Sequence, residues 1–504
     1  MSFKKKIFIV SSILAVYAVY RFIYFSLKPP SRYYCPVTIP GGRPLVLDDP
    51  SYKNHRFKTI NDVSCLNETR VYDIIGITTP DDIRRALSLA QEKKIPISIA
   101  GARHSMGGQA FFTDSLVLDM TSYNRIVEIN EKGKTITVES GATWHDIQLS
   151  LHSKGLAVKA MQSTDIFTVG GSLSVNAHGM DHSVGSMAST VISFTLMLAD
   201  GTIRKVSSSD SELFNAAIGG YGLFGVILEV ELEVTDNVMY RRDTFSVRTS
   251  EFPQLFKKIK DSHTYELFYA HLSTSPLSFF KTMIVYGYRR VEYSGSFPPL
   301  GRVSLINFRR YLINLSKSRY YGQIFKWVAE KYIDPFLEKR SIGLLSRNSV
   351  MHDSVEYLEN ILVNETDILQ EYFIPRDQFI PFIEHVKVIL QKSSLPVLNA
   401  SIRVVNRESN LLTYAPQDMF ALVLYLNQRA TPGALKAMEK VTGQLIDITT
   451  KFGGTFFLPY QLHYTKAQLL AAYPSIDTFF ALKRKYDPHL LFMNTFYAKY
   501  ALGK

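Results

Sequence analysis

The sequence predicts an α+β protein, and three observations carry that prediction. Short helical patterns alternate with antiparallel hairpin signals between about residues 55 and 235. Glycine-rich loops adjoin predicted strands or helices at three separated places. From about residue 240 the patterns lengthen into longer helices and strands, such as Phe420 to Leu426. The chain has 504 residues, 46% hydrophobic and 20% charged. That is long enough for two or three domains with a large core, and its composition is that of a globular protein.

Taken in order, the elements are legible from local chemistry. Thr79-Pro80-Asp81-Asp82 supplies a hydroxyl cap, a proline and early acids for a helix running to about Lys93. Ile83, Ala86, Leu87 and Ala90 share one face of it. Ile95 to Ala100 is a short apolar strand that empties into Gly101-Ala102-Arg103-His104-Ser105-Met106-Gly107-Gly108-Gln109. Leu116 to Leu118 reads as the next strand. Ile126 to Ile129 and Thr135 to Glu139 flank Glu131-Lys132-Gly133-Lys134 as a hairpin. Trp144 to Leu151 is predicted helical. Val191 to Leu198 and Ile203 to Val206 flank Asp200-Gly201, a second hairpin. A helix over about Ser211 to Ala217 leads into Gly219-Gly220-Tyr221-Gly222-Leu223-Phe224-Gly225, followed by a long strand, Val226 to Val234. The chain closes with a short helix, Ile476 to Lys485, and a tail.

The N-terminus differs from the rest. The formal net charge is +12. Lys4, Lys5, Lys6, Arg21, Lys28 and Arg32 fall in the first 32 residues, which hold no acid. Ile7 to Leu27 is apolar apart from serines, tyrosines and Arg21, close to the ~20 residues that cross a bilayer. Pro29-Pro30 ends the pattern. A cleaved signal peptide is the rival, but no small-x-small cleavage site is evident, so a single-pass anchor is expected, its orientation undetermined. The two cysteines, Cys35 and Cys65, are compatible with a disulfide or with free thiols. The segment 252–347 holds sixteen Lys and Arg against six acids, interleaved with aromatics. A solvated face over an ordinary core and a surface resting on anionic lipid both fit it. No nucleic-acid-binding module is present, so nucleic acid is not an expected partner.

The glycine segments carry the chemistry. A loop of backbone N–H groups unused by any ladder suits an anionic pyrophosphate. Gly101, Ala102, Arg103, His104, Ser105, Gly108 and Gln109 form the first such loop, with a nucleophilic imidazole inside it. The second is Thr168-Val169-Gly170-Gly171-Ser172-Leu173-Ser174, continuing through Asn176-Ala177-His178-Gly179. In the third, Gly220-x-Gly222-x-x-Gly225 matches a dinucleotide fingerprint as a string. It follows a helix and precedes a strand, the reverse of a Rossmann turn, so that fold is rejected. Gly222 and Val226 are instead expected to let a ligand approach the backbone. His178 and His182 are four apart, but Gly179 breaks the helix a metal pair needs, and no third ligand is evident. No metal is expected.

On these blocks the chain resembles the vanillyl-alcohol oxidase / p-cresol methylhydroxylase family of FAD-linked oxidoreductases. Lys483-Arg484-Lys485-Tyr486-Asp487-Pro488 through Phe492-Met493-Asn494 is similar to that family's C-terminal, flavin-contacting tail. Arg103 to Ala110 resembles cytokinin dehydrogenase, in which the matching histidine is bonded to the flavin. Asp165 falls where that enzyme has its substrate-contacting aspartate. His178 to Ser186, Glu371 to Pro375 and Ala471 to Pro474 resemble instead the oxidase subunit of decaprenylphosphoryl ribose epimerase. That enzyme holds FAD noncovalently and has a catalytic lysine about where Tyr460 stands here.

The resemblance implies a split FAD-binding domain of two α+β subdomains and an inserted α/β substrate domain, to which the apolar N-terminal stretch adds an expected transmembrane helix. The expected boundaries are an anchor over 1–30, a linker over 31–54, FAD binding over 55–238, a substrate or cap domain over 239–454, and a returning segment over 455–504. FAD is the expected cofactor, tethered through His104, whose other reading is a pyrophosphate-side hydrogen-bond donor. Gly101, Ala102, Arg103, His104, Ser105, Gly108, Gln109, Thr168, Gly170, Gly171, Ser174, His178, Gly179, Gly222, Val226 and Asn494 are the expected cofactor contacts. Flavin chemistry needs a positioned C–H bond and a base for an O–H or N–H proton. Tyr460, Gln461 and His463, before the tail, with Asp165, Glu371 and Arg403, are the candidates for substrate contact and catalysis. The expected reaction is hydride transfer from an alcohol or amine carbon to flavin, with oxygen or a membrane carrier as acceptor. Alternatives are a lipid-linked sugar or sterol substrate delivered from the membrane, and a non-catalytic binding protein on the same fold.

Overall fold

The computed structural model describes Tyr20, Ile23, Tyr24 and residues 57–503, apart from 301–305, 319, 334, 336–342, 353, 354, 356, 357, 359–363 and 394. Tyr20, Ile23 and Tyr24 are helical and exposed; the rest of the expected anchor and linker lies outside the described residues. Among the described residues no helix is long and apolar enough to cross a membrane.

The chain enters through a small antiparallel pair, β1 (Lys58–Ile60) and β2 (Thr69–Val71). A parallel three-stranded sheet follows: β3 (Asp73–Gly76), β4 (Ile97–Ala100) and β5 (Leu116–Asp119), in the order β3-β5-β4. The helix Pro80–Lys93 crosses from β3 to β4. Its start is fixed by a capping box between Thr79 and Asp82, and it ends at Lys94 in the left-handed region. Ile83, Ala86, Leu87 and Ala90 are buried in one cluster with Ile97, Leu116 and Leu118 of the sheet.

The second sheet is antiparallel. It contains β6 (Ile126–Asn130), β7 (Thr135–Glu139), β8 (Leu156–Val158), β9 (Val191–Met197), β10 (Ile203–Ser207) and β11 (Val226–Asp236). The order is β10-β9-β11-β7-β6, with β8 also on β11. Gly201 turns the β9–β10 hairpin at φ +81°, where glycine avoids the steric cost of a Cβ.

The third sheet holds eight strands: β12 (Met239–Arg248), β13 (Leu267–Leu272), β14 (Thr282–Val291), β15 (Leu344–Ser346), β16 (Glu365–Pro375), β17 (Val397–Val405), β18 (Met419–Arg429) and β19 (Thr455–Phe456). Their order is β15-β12-β14-β13-β17-β18-β16-β19, and every recorded pairing is antiparallel. The expected α/β substrate domain is therefore corrected to α+β, because its helices flank hairpin-type ladders and do not cross between parallel strands. β19 keeps residues 455 and 456 in this sheet, two residues past the expected return.

Strand alternation gives the third sheet two different faces. Ala400, Ile402, Val404, Phe420, Leu422 and Leu424 point into the main core, which also takes Phe379 and Phe382 from the helix Phe379–Lys392 and Leu445 from the helix Pro432–Lys451. The intervening residues Asn399, Ser401 and Arg403 are polar and face the other way, onto a cavity.

The tail returns to the first sheet. Phe492 bridges Ile97 in parallel, the Met493 N–H donates to the Ile97 carbonyl at 2.8 Å, and Ser98 Oγ donates to the Met493 carbonyl at 2.7 Å. The turn before it is held by a fully buried Lys483–Asp487 ion pair, with Asp487 also accepting from the Leu491 and Phe492 N–H groups. Burial outweighs the pull of Asp487 and pushes the Lys483 ammonium down to about 8.

Candidate active site

A cavity of about 1360 Å³ runs between the glycine loops and the polar face of the eight-stranded sheet. All three glycine segments reach its wall. They contribute Gly101 to Met106 and Gln109, then Thr168, Gly170, Gly171, Ser174, His178 and Gly179, then Tyr221, Gly222 and Gly225. Segments more than a hundred residues apart in sequence thus share one concave surface.

The close fit of these segments depends on missing side chains. A Cβ on Gly101 would stand 2.2 Å from Thr168 Oγ1, and one on Gly179 would stand 2.3 Å from the Met161 carbonyl oxygen. The segment read from sequence as the second glycine loop contains a short helix, Val169–Ser174, capped by Thr168. Its register is set by Trp144, whose indole N–H reaches Gln162 Oε1 and Ser172 Oγ, both at 3.0 Å.

His104 lies on the wall with its Nδ1–H donating to the Ala102 carbonyl at 2.8 Å and its ring edge-on to Phe167. That bond fixes the tautomer and leaves the lone pair on Nε2. Gln109 also lines the cavity, but its amide is occupied: Nε2 donates to the Leu458 and Tyr460 carbonyls and Oε1 accepts from the Gly107 N–H. It clamps the 458–460 backbone onto the first glycine loop.

Opposite these loops, Glu371 of β16 joins two partners from distant segments. His178 Nε2 donates to Glu371 Oε1 at 2.8 Å, and the Tyr460 hydroxyl faces Glu371 Oε2 at 3.5 Å. Burial, reinforced by the Glu371 charge, raises the Tyr460 phenol well above its ordinary range, so it stays protonated. His178 Nδ1 is buried without a hydrogen-bond partner among the described residues.

Further along the same face, Arg403 lies over the Tyr269 ring at 4.6 Å, with Nη1 buried and unpartnered among the described residues. His271 is beside it. Burial first, and then the charges of Lys326, Arg403 and Arg242, push its imidazole well below the ordinary value, so it is neutral.

Six residues expected at the site do not line the cavity. Asp165 is turned away, its carboxylate held between His145 and His352. Gln461 donates to Ser64 Oγ at 3.1 Å and to the Met106 carbonyl, tying loops together. His463 is buried behind the wall, where desolvation lowers its pKa. The Gly108 N–H is taken by Asp62 Oδ2 at 3.0 Å. Val226 packs in the core beneath the first sheet. Asn494 donates from Nδ2 to the Tyr221 carbonyl at 2.9 Å and caps the last short helix, so it positions the third loop from behind.

Sequence reasoning missed Tyr221, Ser140, Tyr269, His271, Asn399 and Ser401, all on the wall. A usable signal existed for two of them. Asn399, Ser401 and Arg403 are the alternate residues of an otherwise apolar strand, the mark of a face turned toward something polar.

Comparison with known proteins agrees with this geometry. Residues 74–207 match a family described as FAD binding domain, and residues 302–500 match one described as D-arabinono-1,4-lactone oxidase. The chain is 23% identical to L-gulonolactone oxidase of Mus musculus over 84% of this chain and 93% of that one. It is 25% identical to cytokinin dehydrogenase 2 of Arabidopsis thaliana over 78% of this chain and 82% of the relative. To decaprenylphosphoryl-beta-D-ribose oxidase of Mycolicibacterium smegmatis it is 34% identical, over 33% of this chain and 37% of the relative.

Glycine loops facing a polar wall across one cavity suit a dinucleotide, and the protein is an FAD-dependent oxidoreductase. It belongs to the vanillyl-alcohol oxidase / p-cresol methylhydroxylase family of FAD-linked oxidoreductases. The residues present fit the cofactor: Ser140 Oγ and His178 Nδ1 are buried on the wall without partners among the described residues.

Proposed function

We propose that the protein oxidises an alcohol carbon of a polar, sugar-like small molecule, with oxygen as the final acceptor. The observation that carries this reading is the polar face of the eight-stranded sheet, which sets Glu371, Arg403, Asn399 and Ser401 across the cavity from the glycine loops. Hydroxyl-rich substrates suit such hydrogen-bonding groups. The match of residues 302–500 to a lactone oxidase family and the similarity to L-gulonolactone oxidase support the same class.

Bound FAD supplies a two-electron acceptor for the substrate's hydride. The chain's own residues do the rest. The first two glycine loops, from Gly101 to Ser105 and from Thr168 to Gly179, together with Gly222, hold the cofactor through main chain and small side chains. Arg403 and Asn399 orient substrate oxygens. His178 donates from Nε2 to Glu371, which leaves Nδ1 able to take the proton lost from the substrate hydroxyl, and the Glu371 carboxylate stabilises the imidazolium that results. Tyr460, kept neutral, serves as a hydrogen-bond donor.

His104 is the proposed tether of the cofactor. Acid precipitation of wild type and His104→Ala tests it: colour retained in the wild-type pellet and lost from the variant's supports a covalent bond. Colour in the wild-type supernatant removes the tether while leaving FAD binding intact. The substrate class is tested by mixing aldono-1,4-lactones, simple alcohols and amines with the protein anaerobically and following visible flavin absorbance. Bleaching by lactones supports the reading; bleaching by amines alone overturns it.

A second reading, a lipid-linked substrate met at a membrane, has its own observation. The helix Tyr321–Val328 and the turn after it expose Tyr321 (82%), Phe325 (45%), Val328 (42%) and Tyr332 (61%) along one side. Lys326 and Ala329 line the cavity. An outward apolar stripe in a basic segment, above a substrate cavity, suits an interfacial helix on anionic lipid. Together with the apolar N-terminal stretch it supports a membrane location. Co-sedimentation with phosphatidylglycerol vesicles that is lost in Tyr321→Ser/Phe325→Ser supports this placement. Failure of the wild type to sediment with them removes it.

A further inference from the structure

A cluster outside the proposed machinery joins three segments far apart in the chain. His145 is the second residue of the helix Trp144–His152, Asp165 lies in the loop before Thr168, and His352 follows the helix Arg347–Val350. Asp165 Oδ2 contacts His145 Nδ1 at 2.8 Å and also His352 Nδ1. The two imidazole rings stack with centroids 5.1 Å apart and 23° between planes. All three donor atoms lie within 4.8 Å of one another, and no other group of three His, Cys, Asp or Glu does so among the described residues.

The backbone holds these side chains in place. The His145 N–H donates to the Asp165 carbonyl at 2.8 Å, Thr143 bridges Thr168, and a Thr143–Asp146 capping box fixes the start of the helix. On the other side, Arg347 is anchored by Asp181 at 2.6 Å, which sets the turn that delivers His352. The Asp165 side chain is 5% exposed and that of His352 14%, while that of His145 is 44% exposed, so the cluster opens to solvent on one side. His352 also lines the large cavity.

We propose that His145, Asp165 and His352 form a binding site for a divalent transition-metal ion, with Zn²⁺ the best-suited occupant. Two imidazole nitrogens and one carboxylate oxygen are a borderline donor set, suited to Zn²⁺ and too poor in oxygen for Ca²⁺ or Mg²⁺. The ion replaces the protons on both Nδ1 atoms. Ligands about 2.0–2.1 Å from a tetrahedral centre stand roughly 3.3 Å apart, so the 2.8 Å His145–Asp165 separation opens by about half an ångström, within the reach of small side-chain rotations. Three protein ligands leave a fourth position for water. This inference is independent of the substrate reading.

The test uses untagged, full-length, flavin-loaded protein, stripped with chelator and desalted. Calorimetric titration with Zn²⁺ is expected to show one ion bound per chain with proton release. Co²⁺ is expected to give the visible absorption of a low-symmetry nitrogen–oxygen site. Asp165→Asn and His145→Ala are expected to abolish both signals with flavin content unchanged, whereas His489→Ala keeps them. Absence of saturable Zn²⁺ binding and of the Co²⁺ band in the wild type overturns the proposal, as does binding that survives Asp165→Asn. The wild-type Co²⁺ spectrum decides the matter even if a variant fails to retain its flavin.

Discussion

Gly101→Ala probes the meeting of the first two glycine loops with a single methyl group. Its Cβ would lie 2.2 Å from Thr168 Oγ1, 3.3 Å from Thr168 Cβ and 3.4 Å from Thr168 Cγ2. Ordinary contact begins near 3.5 Å, so the hydroxyl must retreat by more than about 1 Å. Rotating Thr168 away forfeits its cap on the Gly171 N–H, worth about 1 kcal/mol. Parting the two loops instead costs about 1–3 kcal/mol, as other overpacking does. Alanine's smaller unfolded-state entropy returns about 0.4–1 kcal/mol. The cheaper route sets the loss, so the expected net is about 1 kcal/mol or less, with weakened flavin retention. Thr168→Ala alone loses the cap, about 1 kcal/mol. The double variant costs little more than that, because the colliding oxygen is gone. A coupling energy of about 1 kcal/mol between the two sites follows. Urea unfolding followed by tryptophan fluorescence, with flavin absorbance per chain, measures all four proteins. A Gly101→Ala protein that unfolds at the wild-type urea concentration with its flavin intact would refute the close approach.

Glu371→Gln is expected to lower kcat by roughly 10²–10⁴ with flavin content unchanged, read by steady-state oxygen consumption; an unaltered kcat removes the His178–Glu371 pair from proton transfer. Tyr460→Phe is expected to cost less than about tenfold, since a neutral phenol contributes one hydrogen bond. Asp487→Ala leaves Lys483 buried without its partner, a loss of about 3–5 kcal/mol, detected as a lower urea midpoint together with release of the tail to limited proteolysis. For Asp82, burial alone would raise the carboxyl, but hydrogen bonds from Thr78, Thr79 and Arg85 outweigh it and hold it at about 2. Its folded pKa thus lies below the unfolded one, so its contribution is full above about pH 4 and is lost as pH falls toward 2. Asp82→Ala is expected to cost about 1 kcal/mol at pH 7, allowing for solvent screening, and less near pH 2, by unfolding at the two pH values.

Much of the first two sheets was legible because its signals are local. The Thr79-Pro80 start, the Asp200-Gly201 turn and the Ser211–Ala217 helix each depend on a few neighbouring residues. The Thr168 segment was read as a loop because two adjacent glycines weaken a helical pattern, whereas the capping hydroxyl and the packing around it make a helix. The substrate region misled for a different reason. Long apolar strands read alike in parallel and antiparallel sheets, and only the pairing partners separate the two. Asp165 was assigned by its place in a resembling motif, and the structure turns its carboxylate out of the cavity to His145 and His352.

Backbone demands sufficed to suggest an α+β fold that holds a nucleotide cofactor, because the need for glycine and for strand-to-loop transitions is written residue by residue, and the family resemblance implied the enzyme. Side-chain partnership was decided only by folding. His178 meets Glu371 across 193 residues, and Asp165 meets His352 across 187. Strand register determines which alternate residues face the cavity, and helix docking determines which ring reaches which carboxylate. Both are consequences of core packing between distant segments, which no local stretch of sequence encodes.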